Sequence, residues 1–214
     1  MIIDHTHPSI VRAHRKRPHN QYNGAVYYTK EIEQFFIPTI KTHRNWVLMN
    51  VKRLVVDNAI VFCHNNIHTE WYAKYKGLDV ILVCGMPETV EKVKEYGKAI
   101  YLPLSIDTHY VRKFKTKQTK DTCFVGRAEK KTDSIPDGIP CLEGLPRHEL
   151  LEQLAQFHKA YAVDRCAIEC KCLGVEVLPY GYGYGVEHTP DFWQILDSRD
   201  AAKILQKELD NIDG

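Results

Sequence analysis

The feature that most constrains this chain is its middle, residues 98–127, KAIYLPLSIDTHYVRKFKTKQTKDTCFVGR. Two short apolar runs, 99–106 and 122–125, flank a segment in which Arg112, Lys113, Lys115, Lys117 and Lys120 are unopposed by any acid. Pro103 and Asp107 punctuate the first run and Gly126 the second, and each run has the length of a buried strand. The pattern predicts a hinge, in which the last strand of one α/β unit leads through a basic connector into the first strand of another. A length of 214 residues suits two such units, each of about a hundred residues. The expected division is 1–107 and 108–214.

In the first half, residues 1–23 read as one short strand followed by loop. GAVYYT then predicts a strand, KEIEQFFIPTIKT a helix interrupted by Pro38, and NWVLMNV a second strand. AIVFCHNN reads as a buried strand running into a polar turn, HTEWYAKYKG as a short helix closed by Gly77, and DVILVCG as another strand. Residues 86–96 carry Pro87 and Glu88 early, Lys92 and Lys94 late, and Gly97 as a stop, the preferences of a helix. Alternating strands and helices predict a mainly parallel sheet with helices on its faces.

Ligands of such sheets sit beyond the carboxyl ends of the strands. That position singles out His64, Asn65, Asn66 and His68, directly after AIVFC. A histidine there can act as a general base; equally, the two asparagines can make the turn and His68 can start the helix.

The second half repeats the pattern. After CFVGR comes a polar loop with Lys130 and Lys131, a short strand IPCLEGL, a helix PRHELLEQLAQF, a strand AYAV, a short helix CAIECKCLG ended by Gly174, and a strand VEVLPY. The GYGYG loop leads to Thr189-Pro190-Asp191, read as a helix start, and residues 199–211 form a final helix with Ala201, Ile204, Leu205 and Leu209 at helical spacing. Gly126-Arg127 follows a buried strand, where amides and a guanidinium can meet an anion or simply reach the surface. Glu169 lies in a thiol-rich apolar helix, where a buried carboxylate needs a partner or a ligand hydroxyl and an exposed one needs neither. Cys166 and Cys170 share a helix face but Cys172 does not, so packed thiols are expected there rather than zinc. GYGYG is not the G-x-G-x-x-G fingerprint of dinucleotide binding, which disfavours an epimerase-like nucleotide enzyme.

The net charge of +2 decides little, whereas the basic clusters at 12–17 (RAHRKR) and 112–120 can face phosphates or solvent. The seven cysteines are an odd number, and Cys63, Cys84 and Cys123 stand in apolar runs, as reduced thiols do. No apolar run approaches the roughly 18 residues of a membrane span, and the N-terminus lacks a signal-peptide pattern. A cytoplasmic protein is expected.

Taken together, YLPLSIDTHYV, DTCFVGR, the LPRHELLEQL helix and AIECKCLGVEVLP resemble the core of GT-B glycosyltransferases, in particular bacterial and phage members related to CgeB-like and family 4 enzymes. The resemblance covers residues 98–187. It implies two Rossmann-like parallel-sheet domains facing a cleft, joined by a proline-and-aspartate linker, here 103–107. It further implies that Gly126 and Arg127 bind the donor diphosphate with help from Lys131, and that Glu169 holds the nucleotide ribose with Arg165 one turn away. The implied activity is transfer of a sugar from a nucleotide-diphosphate donor, expected to be UDP-linked, to an acceptor hydroxyl. His64 would be the base, and Asn65, Asn66 and His68 would lie on the acceptor side.

No D-x-D motif occurs, consistent with the metal-independent GT-B class; no cofactor beyond the donor and no metal is expected. The acceptor classes open are a small molecule, a glycan or DNA, the last because the basic clusters admit nucleic acid. The second glutamate of family 4 enzymes, eight positions before the ribose-binding one, is Tyr161 here. That departure, with the short first domain, keeps a second class in view: a non-catalytic protein that binds the nucleotide or nucleotide sugar without transfer.

Overall fold

A computed structural model of the chain describes residues 24–36, 45–48, 55, 57–64, 66, 68–126, 131–181 and 188–213. The strand expected in 1–23, the cluster at 12–17, Pro38, Asn65, Arg127 and most of GYGYG lie outside the described residues. The described chain is α/β and forms two compact units, one drawn from 23–104 and 198–214, the other from 105–197.

The first unit holds a four-stranded parallel sheet in the order β1-β2-β3-β4. Its strands are β1 (Asn45–Leu48), β2 (Ala59–Cys63), β3 (Val80–Cys84) and β4 (Lys98–Tyr101). Every residue of β2 and β3 is buried, which is why AIVFC and VILVC read as unbroken apolar runs: central parallel strands are covered on both faces. On one face Ala59, Val61, Cys63, Val80, Leu82 and Cys84 pack beneath Tyr72 and Tyr75 of the 3-10 helix Thr69–Tyr75 and beneath Val93 of helix α2 (Pro87–Val93). On the other, Phe62 meets Tyr28 of helix α1 (Gly24–Phe35) edge to face, with ring centroids 6.0 Å apart.

Helix α1 corrects the strand expected for GAVYYT. Over six residues the apolar side chains alternate, but Tyr28, Thr29, Ile32 and Phe36 are buried at a spacing that only a helix gives. The run at 99–106 is likewise strand only to Tyr101, and Ile106 makes a single bridge to Asp197.

The second unit holds a parallel sheet in the order β6-β5-β7-β8: β5 (Lys120–Val125), β6 (Cys141–Leu142), β7 (Phe157–Tyr161) and β8 (Glu176–Leu178). Helix α3 (Thr108–Arg112) precedes β5, helix α4 (Arg147–Leu154) precedes β7, and helix α5 (Asp164–Leu173) precedes β8. IPCLEGL contributes only Cys141 and Leu142 to the sheet, and AYAV is the end of a strand that begins at Phe157. Thr189-Pro190-Asp191 opens one 3-10 turn, Pro190–Phe192, without a side-chain cap, rather than a helix.

The final helix α6 (Ser198–Asp213) does not close the second unit, as the division 108–214 expects, but belongs with the first. Its Ala201, Ala202, Leu205 and Leu209 form a fully buried stripe, and it packs on α1. At its start Ser198 Oγ donates to Glu31 Oε2 of α1 at 3.2 Å, both side chains being buried. Among the described residues the chain therefore passes between the units twice, after Leu104 and after Asp197. Within the second unit these two passages are tied: Ile106 N–H donates to the Leu196 carbonyl at 3.1 Å, and the Thr108 amide and hydroxyl both donate to Asp197 Oδ2. No helix among the described residues is long and apolar enough to cross a membrane.

Candidate functional site

The order of the second sheet determines where a ligand can sit. From β5 the chain moves to β6 on one side, then returns through α4 to β7 on the other. The carboxyl ends of β5 and β7 thus flank a topological switch point, the place at which parallel α/β sheets bind ligands. Gly126, on the β5 side, has φ +151, and a Cβ there would lie 3.3 Å from Cζ of Phe124. On the β7 side α5 begins at Asp164, which holds φ +56, an uncommon conformation for a residue with a side chain.

Lys131 is brought to the β5 end. It lies 3.5 Å from Asp137 Oδ1 and beside Cys141, whose Sγ is 3.8 Å from the Gly126 carbonyl. Burial and Glu143 raise the Cys141 thiol, and the Lys131 ammonium partly offsets this.

Glu169, in the second turn of α5, is 3% exposed and is gripped by arginines from two helices. Arg165 Nε, one turn earlier on α5, donates to Glu169 Oε1 at 3.0 Å, and Arg147 Nη2, from the first residue of α4, donates to the same oxygen at 3.0 Å. The Arg147 guanidinium also lies over the Tyr110 ring, 5.3 Å from its centroid. Tyr110 belongs to α3, whose amide at that residue is capped by Asp107 Oδ1 at 2.9 Å. The linker aspartate, an aromatic face, two guanidinium groups and the carboxylate thus form one connected support. The pairing of Arg165 with Glu169 follows from helical spacing; Arg147 and Tyr110 were missed, because they arrive from other helices and no local period announces them. Tyr161 packs against the apolar cluster of Phe124, Ile135 and Tyr180.

In the first unit, His64 follows β2 directly and is enclosed by aromatic rings, Tyr28 at 5.6 Å edge-on and Phe62 at 6.3 Å stacked. Burial drives its pKa from 6.5 down to about 4, so the imidazole is neutral at physiological pH. Its Nε2 lies 3.3 Å from Thr29 Oγ1, a neighbour supplied by the helix that sequence patterning reads as a strand. Asn66 Oδ1 accepts from Thr89 Oγ1 of α2 at 2.8 Å, which fixes the turn. His68 stands apart from this packing: it is exposed, stacks on Trp71 at 5.0 Å and lies 3.2 Å from Glu70. It precedes the 3-10 helix without capping it through its side chain.

All seven cysteines are free thiols. Burial pushes Cys123 up to about 12 and raises Cys63 and Cys170 well above the usual thiol value. Cys172 points to the Thr108 carbonyl at 3.9 Å. Among the described residues no group of three or more His, Cys, Asp or Glu side chains is placed to hold a metal ion.

Comparison with protein-family models, with curated proteins and with solved structures finds no match to this chain.

Proposed function

We propose that the chain is a compact, metal-independent glycosyltransferase that binds a nucleotide-diphosphate sugar at the carboxyl edge of the second sheet and passes the sugar to an acceptor hydroxyl. The observation that carries this reading is the strand order β6-β5-β7-β8, a switch point with Gly126 following one central strand and α5 starting after the other. A glycine there lets a diphosphate approach the backbone, and a helix start presents amides and the positive end of its dipole to an anion. Arg127 and Lys131 would offset the charge that develops on the leaving diphosphate. Glu169, with Arg165 beside it, would hold the ribose through the carboxylate oxygen that takes neither guanidinium bond. Asn65, Asn66 and His68 are assigned to the acceptor side, and neutral His64 is assigned as proton acceptor. The similarity of the linker, the first strand of the second unit and the Glu169 helix to GT-B enzymes supports the same reading.

A thermal-shift screen of the parent protein against nucleotide sugars tests it, since a ligand held only by the folded state raises stability by about 2.7 kcal/mol at a hundredfold excess over its Kd. A UDP-linked sugar should raise the Tm of the parent, and Lys131→Gln should reduce that rise by removing a cation set beside the end of β5. No shift with any nucleotide sugar would overturn the proposal.

A second reading, a nucleotide or nucleotide-sugar binding protein without transfer activity, is favoured by Tyr161. Its ring joins the Phe124–Ile135–Tyr180 cluster where family 4 enzymes have a glutamate. Donor binding with neither hydrolysis nor transfer across a broad set of acceptors would select it.

A further inference from the structure

The opposite edge of the second sheet has a different character. Lys120 opens β5 and Gly126 follows its end, so the two edges are separated by about 20 Å at roughly 3.3 Å per residue. At the entry edge the connector 112–120 carries Arg112, Lys113, Lys115, Lys117 and Lys120, all exposed. None of the five forms a salt bridge among the described residues.

The connector is held rather than loose. The Gln118 side-chain amide donates to the Gly174 carbonyl at 2.8 Å, and the Thr119 and Lys120 amides both donate to the Gln156 carbonyl, at 2.8 and 2.9 Å. Lys120 Nζ stands 5.3 Å from the Phe157 ring centroid. Arg112 and Lys115 sit beside Cys172 and partly offset the rise that burial gives its thiol. They thus lie at the carboxyl end of α5, where cations suit the helix dipole. Lys113 and Lys117 have no such task in the packing.

Five like charges fixed on nine residues repel one another and draw polyanions. Between the lysines stand Thr116 and Thr119, exposed hydroxyls of the kind that contact phosphate and sugar oxygens. Among the described residues the large exposed apolar side chains, Val55, Tyr101, Ile195 and Ile204, all lie outside this segment, so it lacks the apolar anchor by which a basic surface enters a membrane. We propose that the connector Arg112–Lys120 is a nucleic-acid backbone-binding surface, placed on the sheet edge away from the proposed donor site. The surface does not depend on sugar transfer: it binds a phosphate chain whether or not that site turns over a donor.

Fluorescence anisotropy with a labelled DNA duplex, over a salt series, tests this on the full chain. Neutralising five phosphates gives a slope of about −4.5 in log K against log salt, a loss of about 500-fold between about 50 and 200 mM. The triple variant Lys113→Gln, Lys117→Gln, Lys120→Gln leaves Arg112 and Lys115 at the helix end. It should lower the slope to about −2 while its Tm falls by no more than the loss of the Lys120–Phe157 contact gives and its response to nucleotide sugars stays at the parent's. No duplex binding at low salt, an equal slope in parent and variant, or binding to anionic vesicles or polyglutamate without binding to DNA would each overturn the proposal. Loss of nucleotide-sugar response in the parent, with the DNA slope intact, would count against the transferase reading alone.

Discussion

Arg147 Nη2 and Glu169 Oε1 lie 3.0 Å apart, joining the first residue of α4 to the middle of α5 where both side chains are withdrawn from solvent. The second guanidinium on that oxygen, from Arg165, makes the carboxylate a structural keystone as well as a proposed ribose ligand. Removing one partner of a buried ion pair leaves charge without compensation, at about 3–5 kcal/mol. Glu169→Ala should therefore lose that much stability in urea titration, and its loss of ligand binding alone would say nothing about ribose. Glu169→Gln keeps the shape and a hydrogen-bond acceptor and should cost less. A Glu169→Ala variant as stable as the parent would show that the pair contributes nothing.

His64 gives the first unit a pH dependence with a definite sign. Its folded pKa, about 4, lies below the ordinary 6.5, so between these values the unfolded chain binds the proton and the folded chain does not. The folded state is unaffected above pH 6.5 and loses stability as pH falls toward 4, by at most about 3 kcal/mol, since the ring keeps some access to solvent. Denaturant titrations at pH 7.5 and 4.5 should show His64→Asn losing less stability on acidification than the parent. Equal losses would contradict the burial of the imidazole. The same shift makes His64 a weak base, so the proposed transfer through it should not fall until pH drops well below 6.

Helix α6 stabilises the unit that begins the chain. Leu205 is fully buried on its stripe, and Leu205→Ala should cost about 2–5 kcal/mol. Hydrogen exchange should quicken in β2 and β3. Faster exchange confined to β5 and β7 would contradict the assignment of α6 to the first unit.

The central strands were legible because AIVFC and VILVC are buried on both faces, and α2 because Pro87, Glu88 and Lys92 obey end preferences that need no tertiary context. GAVYYT misleads because six residues are too few to separate period 2 from period 3.6; Ile32 and Phe36 resolve it. The stripe of α6 was readable, but its destination was not, since an apolar face does not say which unit covers it. At the candidate site, Gly126, Lys131, Arg165 and Glu169 could be named from spacing and resemblance. Arg147 could not, because its partner is 22 residues away on another helix. The basic connector looked in sequence like solvated linker, and only its ties to Gly174 and Gln156 show the lysines to be presented from a fixed frame.

The most direct measurement is hydrogen–deuterium exchange of the parent protein with and without a saturating UDP-linked sugar. Binding at the carboxyl edge of the second sheet predicts slowed exchange at Gly126 and at residues 163–167, with residues 113–120 unchanged. Unchanged exchange at Gly126 and at the start of α5, or protection confined to the opposite edge, would contradict the placement of the donor.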